Sequence, residues 1–371
     1  VHPGTYVENV RFNGHEVRLE SVSGPTVTTI DGNRNGAAVT FDQGESYPAA
    51  LVGFRVTGGS GNAIYSLWKE VLATPANDTS GGGIFVKAAS PLIQGNVVVG
   101  NDVQDQGGGI FLYASYAHVV DNQILDNIAR DEHDCGAGIL STNSEALIER
   151  NFVRGNQCTG SSGDGAGLMA YATSDHIRGN VFTGNWARNN GSGVRLSYYG
   201  EVLFEGNLVY GNTGQGVMVS HGTTGRVVNN TIVDNSTYGL YIFISSGSVY
   251  SAPQIANNII AYNDGCGVSD NSDSPFTFTN NDTYSNGTNY CGNLGGSANP
   301  TGRNGNLSTS PGFVAWSNDG NFANDDFRLR SDSACRNAGT DVVPYGVVTD
   351  YDGNPRKAGS ATDIGAFEYV E

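Results

Sequence analysis

The sequence predicts an all-β protein: a single-stranded parallel β-helix of about ten coils, 23–29 residues each, with a C-terminal cap. Three observations predict it. A pair of asparagines five residues apart recurs eight times. A glycine before an apolar residue recurs with it, and short apolar runs separate these markers.

The first asparagine of the pair falls at Asn96, Asn122, Asn151, Asn180, Asn207, Asn230, Asn258 and Asn281. The second falls at Asn101, Asn127, Asn156, Asn185, Asn212, Asn235, Asn263 and Asn286. The marker glycines are Gly83, Gly109, Gly138, Gly167, Gly193, Gly216, Gly239 and Gly267. Three residues before each first asparagine stands a β-branched or aromatic residue, from Ile93 and Val119 to Ile255 and Phe278. Apolar runs of three to five residues read as strands, not helices. Three such strands and three corners per repeat describe one coil, stacked about 4.8 Å above the last. A corner favours residues that tolerate a left-handed backbone, so the asparagines are expected to be the left-handed residues. Stacked amides are also expected to bond to one another along the axis.

Residues 1–290 are read as the helix, with weaker markers such as "NGAAVTF" near its start. Residues 291–371 lose the period and are read as a cap packed on the last coils, because an open solenoid end templates association.

Composition narrows the function. Glycine is 53 of 371 residues, and acids outnumber bases 36 to 19 for a net charge of −17. Neutralising phosphates needs Lys and Arg, so nucleic acid is excluded as a partner. No apolar run approaches the roughly 18 residues of a membrane span. The opening "VHPGTYVENV" reads as a processed or truncated N-terminus. Cys135 and Cys158 fall in loops of successive coils, as do Cys266 and Cys291. Two disulfides between neighbouring coils, or free buried thiols, are the two readings. Disulfides would mean an oxidising compartment.

Three stretches carry a resemblance. "VHPGTYVENV" resembles the start of many secreted bacterial right-handed β-helix proteins of pectin-lyase-like fold. "GGGIFVKAASPLIQGNVVVGN" resembles their repeat units. "FRLRSDSACRNAGT…TDYDGNPRKAGSATDIGAFEY" is similar to the C-terminal segment of the choice-of-anchor Q proteins. The resemblance implies a right-handed helix, secretion or cell-surface display, and a polysaccharide partner. Its superfamily spans lyases, hydrolases, epimerases and proteins of unknown role, so it implies fold more than activity. The tail departs from the usual pattern with "SACRNAG", and Cys335 is expected to be a buried thiol.

Candidate chemistry lies on the strand after each marker glycine. Alternation turns its second and fourth residues outward. That face carries Phe85, Phe111, Tyr113, Met169, Tyr241 and Phe243, with Tyr199 beside it. Flat rings along a groove suit the apolar faces of sugars, so these are the candidate substrate-binding residues. Lys87, Tyr171, Arg195, Tyr198 and His221 are its titratable groups and the candidate catalytic residues. Cleavage of a uronide by β-elimination needs a base at C5, a positive charge near the carboxylate and an acid for the leaving oxygen. Glu149, Arg178 and Glu205 occupy one ladder position and read as a minus-plus-minus surface ladder. Asp131, Glu132 and Asp134, with Asp164 one coil on, suit Ca²⁺, which needs clustered oxygen ligands. No motif calls for an organic cofactor. The expected function is therefore a monomeric polysaccharide lyase, with a glycoside hydrolase or a noncatalytic carbohydrate-binding protein as alternatives.

Overall fold

A computed structural model describes residues 1–63, 79–130, 135–161, 163–189, 191–243, 253–317 and 319–371. The protein is a parallel β-solenoid. Its chain divides into two compact units, Val1–Asp175 with Asn185–Ser192, and His176–Gly184 with Gly193–Glu371.

In the first unit each coil gives one strand to each of three sheets. Ile84–Lys87 pairs in parallel with Ile110–Tyr113, Leu92–Gln94 with His118–Val120, and Val97–Val99 with Gln123–Leu125. A fourth narrow sheet joins Asp102–Val103, Ile128–Ala129, Gln157–Cys158 and Trp186–Ala187. The second unit repeats the plan. Its strands Val194–Ser197, Val217–Ser220, Leu240–Phe243, Cys266–Asp270 and Thr288–Gly292 stack in that order. Equivalent residues stack, so one apolar position becomes a ladder. Ile84, Ile110, Ile139 and Leu168 line the interior of the first unit, and Val194, Val217, Leu240 and Val268 that of the second. Removing such columns from water is the main apolar contribution to stability.

The marker asparagines are buried and bonded along the axis. In the first unit the chains are Asn96–Asn122–Asn151 and Asn101–Asn127–Asn156–Asn185. In the second unit Asn180–Asn207–Asn230–Asn258–Asn281–Asn306 forms one chain and Asn212–Asn235–Asn263–Asn286–Asn289 the other. Asn207 shows the pattern. Its Oδ1 accepts from the backbone N–H of Asn180 at 2.9 Å and from Asn180 Nδ2 at 3.0 Å. Its Nδ2 donates to Asn230 Oδ1 at 3.1 Å and to the Ile177 carbonyl at 3.0 Å.

These asparagines are not the left-handed residues, which corrects the sequence expectation. The residue before each one is. It is Gly95, Asp121, Arg150, Gly179, Gly206, Asn229, Asn257 or Asn280 at the first corner, all with positive φ. The marker asparagine must keep its side chain pointed inward, and its neighbour makes the turn. The marker glycines serve close approach. A Cβ on Gly109 would lie 2.5 Å from the Gly138 carbonyl, and one on Gly216 would lie 2.7 Å from Asn235 Nδ2.

Disulfides join Cys135 to Cys158 and Cys266 to Cys291. Cys335 is a free, buried thiol whose Sγ lies 3.3 Å from Asp282 Oδ2. The aperiodic tail belongs to the second unit and runs along its side. Asn229 Nδ2 donates to the carbonyls of Asp363 and Gly365, Asn257 Nδ2 to Thr340, and Asn280 Nδ2 to Ala338. Arg356 is buried there. It donates to the carbonyls of Gly365 (3.1 Å) and Ala366 (3.0 Å) and meets Glu368 at 3.5 Å.

Two substitutions test these supports. Asn207→Ala strands the Asn180 donors and the Ile177 carbonyl in the interior. At about 1–3 kcal/mol per stranded group, the variant should lose roughly 3–5 kcal/mol in a denaturant titration. Arg356→Met strands the Gly365 and Ala366 carbonyls in the interior and, at about 1–3 kcal/mol per group, should cost roughly 2–5 kcal/mol. A wild-type midpoint in either would remove that interaction from the account.

Candidate functional site

The strand after each marker glycine is less open than alternation suggests. Phe85, Phe111, Met169 and Tyr171 in the first unit are buried, as are Arg195 and Met218 in the second. The cause is a second glycine two residues ahead of the marker. A Cβ on Gly81 would lie 2.9 Å from the Phe85 ring, and those on Gly107 and Gly165 would touch the Cβ of Phe111 and Met169. This left-handed glycine folds the incoming loop over the outward side chain. Phe85 and Phe111 stack at 5.5 Å beneath it. Of the candidates in the first unit, only Lys87 is exposed and Tyr113 half-buried. The solvated aromatic face expected there is therefore covered, and Phe85, Phe111, Met169 and Tyr171 are packing residues.

The second unit gathers the other candidates. Arg195, at 6% exposure, donates from Nε to Ser220 Oγ at 3.4 Å. Ser220 Oγ bonds to Ser197 Oγ at 3.0 Å, and Ser197 Oγ lies 3.5 Å from His221 Nδ1. In a neutral ring either Nδ1–H donates to Ser197 or the hydroxyl donates to Nδ1. The imidazole stacks on Tyr198 at 4.9 Å and meets the Phe243 edge at 5.7 Å. Tyr241 stacks with Tyr238 at 5.3 Å and with Phe243 at 6.4 Å. Tyr199, next to Tyr198, is 58% exposed and Phe243 36%. Sequence reasoning named all of these except Ser197 and Ser220 as working residues, and Tyr238. The two serines stand at one register position of the ladder, where lysine, threonine or an aromatic stands in other coils.

Backbone strain marks the same place. The residue after six of these strands is left-handed, and Ala88, Ala114, Asn143 and Ala172 fill that position in the first unit. In the second unit Tyr198 (φ 61°) and His221 (φ 48°) fill it, and Tyr199 (φ 53°) follows. A left-handed L-residue other than glycine costs about 1–2 kcal/mol. Bulky residues held that way cluster at functional sites. Burial lowers the His221 pKa from its ordinary 6.5, and the Arg195 charge lowers it further. The imidazole is therefore neutral at pH 7.

Arg178 and Glu205 stand opposite each other in the register, as the charge ladder expects, but Glu149 and Glu205 are buried, not at the surface, and each also meets a histidine. His118 Nε2 meets Glu149 Oε1 at 2.9 Å in the first unit, and His176 Nε2 meets Glu205 Oε1 at 2.8 Å in the second. Asp131, Glu132 and Asp134 lie outside the described residues. Asp164 is buried, and its carbonyl accepts from the N–H groups of Cys135 and Gly136.

Two family models match the chain. One, described as "Right handed beta helix region", covers residues 156–307. The other, described as "Periplasmic copper-binding protein (NosD)", covers residues 5–185. The fold is a right-handed parallel β-helix. Comparison with curated proteins gives no match. Among solved structures, the chain is similar to pectate lyase Pel9A at 15% identity, covering 99% of this chain and 96% of that one, with a TM-score of 0.48. It is similar to the periplasmic alginate epimerase AlgG at 14% identity, covering 78% and 75%, TM-score 0.41. It is also similar to the catalytic domain of a GH87 alpha-1,3-glucanase at 13% identity, covering 83% and 63%, TM-score 0.40. Likeness this low carries no argument about activity.

Copper does not fit the donor set of this β-helix. No group of three or more His, Cys, Asp or Glu residues gathers among the described residues. Four of the cysteines form disulfides, Cys335 is buried against Asp282, and both methionines are buried. No accessible soft ligand remains among them.

An NMR titration of the histidines tests the electrostatics. His221 should titrate below 6.5. Arg195→Met should move it upward only in part, because burial is the larger cause. An unmoved His221 would show that the guanidinium does not act on the ring.

Proposed function

We propose that the protein acts on polysaccharide, seating a glycan on the aromatic face of the second unit and cleaving a uronate-containing chain by β-elimination. The observation that carries this reading is the neutral, strained His221, held between Tyr198 and Phe243 beside exposed Tyr199. With Nδ1–H on Ser197, the Nε2 lone pair takes the C5 proton of the uronate. The C4–O bond then breaks, a C4–C5 double bond forms, and the phenol of Tyr198 or Tyr199 protonates the leaving oxygen. Arg195 acts from beneath. Its charge adds to burial in keeping the imidazole unprotonated and gives the face a positive potential in a protein of net charge −17. The two disulfides support an oxidising compartment outside the cytoplasm.

Binding without turnover is the second reading. It is favoured by the burial of Arg195, whose Nε is committed to Ser220 instead of a substrate carboxylate.

Incubation with oligogalacturonate, oligoalginate and neutral glycans separates the two. Elimination gives the ultraviolet absorbance of an unsaturated uronate, and His221→Ala should reduce it by about 10²–10⁴-fold. Since the base must be unprotonated and its pKa is lowered, the rate should hold as pH falls past 6.5. Binding that weakens in Tyr199→Ala, with no absorbance on any uronate, would establish the second reading. Absorbance unchanged in His221→Ala would remove the ring from the chemistry.

A further inference from the structure

The first unit carries a depression of about 330 Å³, lined by three successive corners. Its floor is a hydroxyl ladder. Ser115 Oγ donates to the Ala89 carbonyl at 2.7 Å, and Ser144 Oγ to the Thr142 carbonyl at 2.9 Å. Ser144 Oγ also accepts the Ser115 N–H at 3.1 Å, and Thr173 Oγ1 accepts the Ser144 N–H at 3.2 Å. These side chains are buried, and the backbone fixes them.

The hollow follows from the left-handed corner. Ala114 and Ala172, with φ of 49° and 50°, stop at Cβ. Tyrosine and histidine hold the equivalent register in the second unit, at Tyr198 and His221. The rim is exposed and built for contact: Tyr116 is 65% exposed, and Asn143, Glu145 and Ser174 are exposed beside it. Glu145 is the only charged residue of the lining. The buried Asp175 follows Ser174, and its Oδ1 accepts the Ala146 N–H at 2.7 Å. Burial first, and Glu145 among the lesser causes, push its carboxyl up to about 6. The corner thus presents acid and no base.

We propose that this corner is a second saccharide site, taking an uncharged sugar whose apolar face lies on Tyr116 and whose hydroxyls bond to Glu145, Asn143 and Ser174. A phenol ring supplies the flat apolar surface and the carboxylate a strong acceptor for two vicinal hydroxyls. A uronate would face Glu145 with like charge and is rejected. The site would hold neutral stretches of a chain and does not depend on chemistry at His221.

Calorimetric titration with maltohexaose, cellohexaose and xylohexaose, and separately with hexagalacturonate, tests it. At least one neutral hexasaccharide should bind. Tyr116→Ala should weaken it about tenfold, the loss of one ring contact, and Glu145→Ala should weaken it too. Both residues are exposed, so circular dichroism should confirm that the variants fold. Hexagalacturonate should not compete. The proposal is overturned by no heat from any of the three at about 10 mM, a concentration well above a millimolar Kd. Neutral binding that is lost in Tyr199→Ala and kept in Tyr116→Ala also overturns it, by placing the sugar on the second unit. Loss of elimination activity alone would count against His221 and leave this site standing.

Discussion

Everything in this fold depends on one exchange of hydrogen bonds: the carboxamide of a buried asparagine accepting from the asparagine one coil before it. A strand of three residues makes too few contacts to fix its own register. The amide does so, because its single oxygen takes two donors and its nitrogen returns one to the backbone. Left unpaired inside the coil, each of those groups costs more than a pair contributes, so the ladder penalises every shifted register. The chain of bonds is also directional. Each coil needs the next as its acceptor, and the series in the second unit ends on Asn306 and Asn289.

That rigidity frees the corners to vary. A left-handed residue is needed at fixed places, and the coil does not depend on what its side chain does. Alanine there leaves a hollow, as at Ala114 and Ala172. Tyrosine and histidine there make a stacked pair, Tyr198 on His221. The strain of a bulky left-handed residue is tolerable because stacked sheets on either side hold the backbone. Function can change at a corner with little effect on the fold.

Much of this was legible in the sequence, because a ladder is a repeat and repeats are visible. The asparagine columns, the inward apolar column and the placing of four cysteines in neighbouring coils followed from counting, and of the two readings left for those cysteines the disulfides hold. What was missed had the same kind of signal at lower contrast. At three coils the residue before the marker changes to asparagine, giving "VVNNT", "IANNI" and "FTNND". Those extra amides, Asn229, Asn257 and Asn280, are where the tail docks. The histidine–glutamate pairs were hidden for another reason. A pair across coils joins positions two apart on the strand, Glu205 lying beyond the Leu203 that faces His176, and matching like positions does not reveal it.

The glycine two ahead of the marker decides which rings reach solvent. It is present as Gly81, Gly107, Gly136, Gly165, Gly191 and Gly214, left-handed in each case. The outward side chains four residues on, from Phe85 to Met218, are all buried. One coil later Thr237 takes its place. Threonine is β-branched and resists the left-handed turn, and its φ is not positive. There the outward ring, Tyr241, is half-buried instead of covered, and Phe243 beyond it is exposed. The departure from G-x-G thus uncovers Tyr241, whereas the position two residues on, held by Phe243, is open at Lys87 even with the glycine present. Aromatic residues in the outward column mark a binding surface only where the covering glycine has been lost.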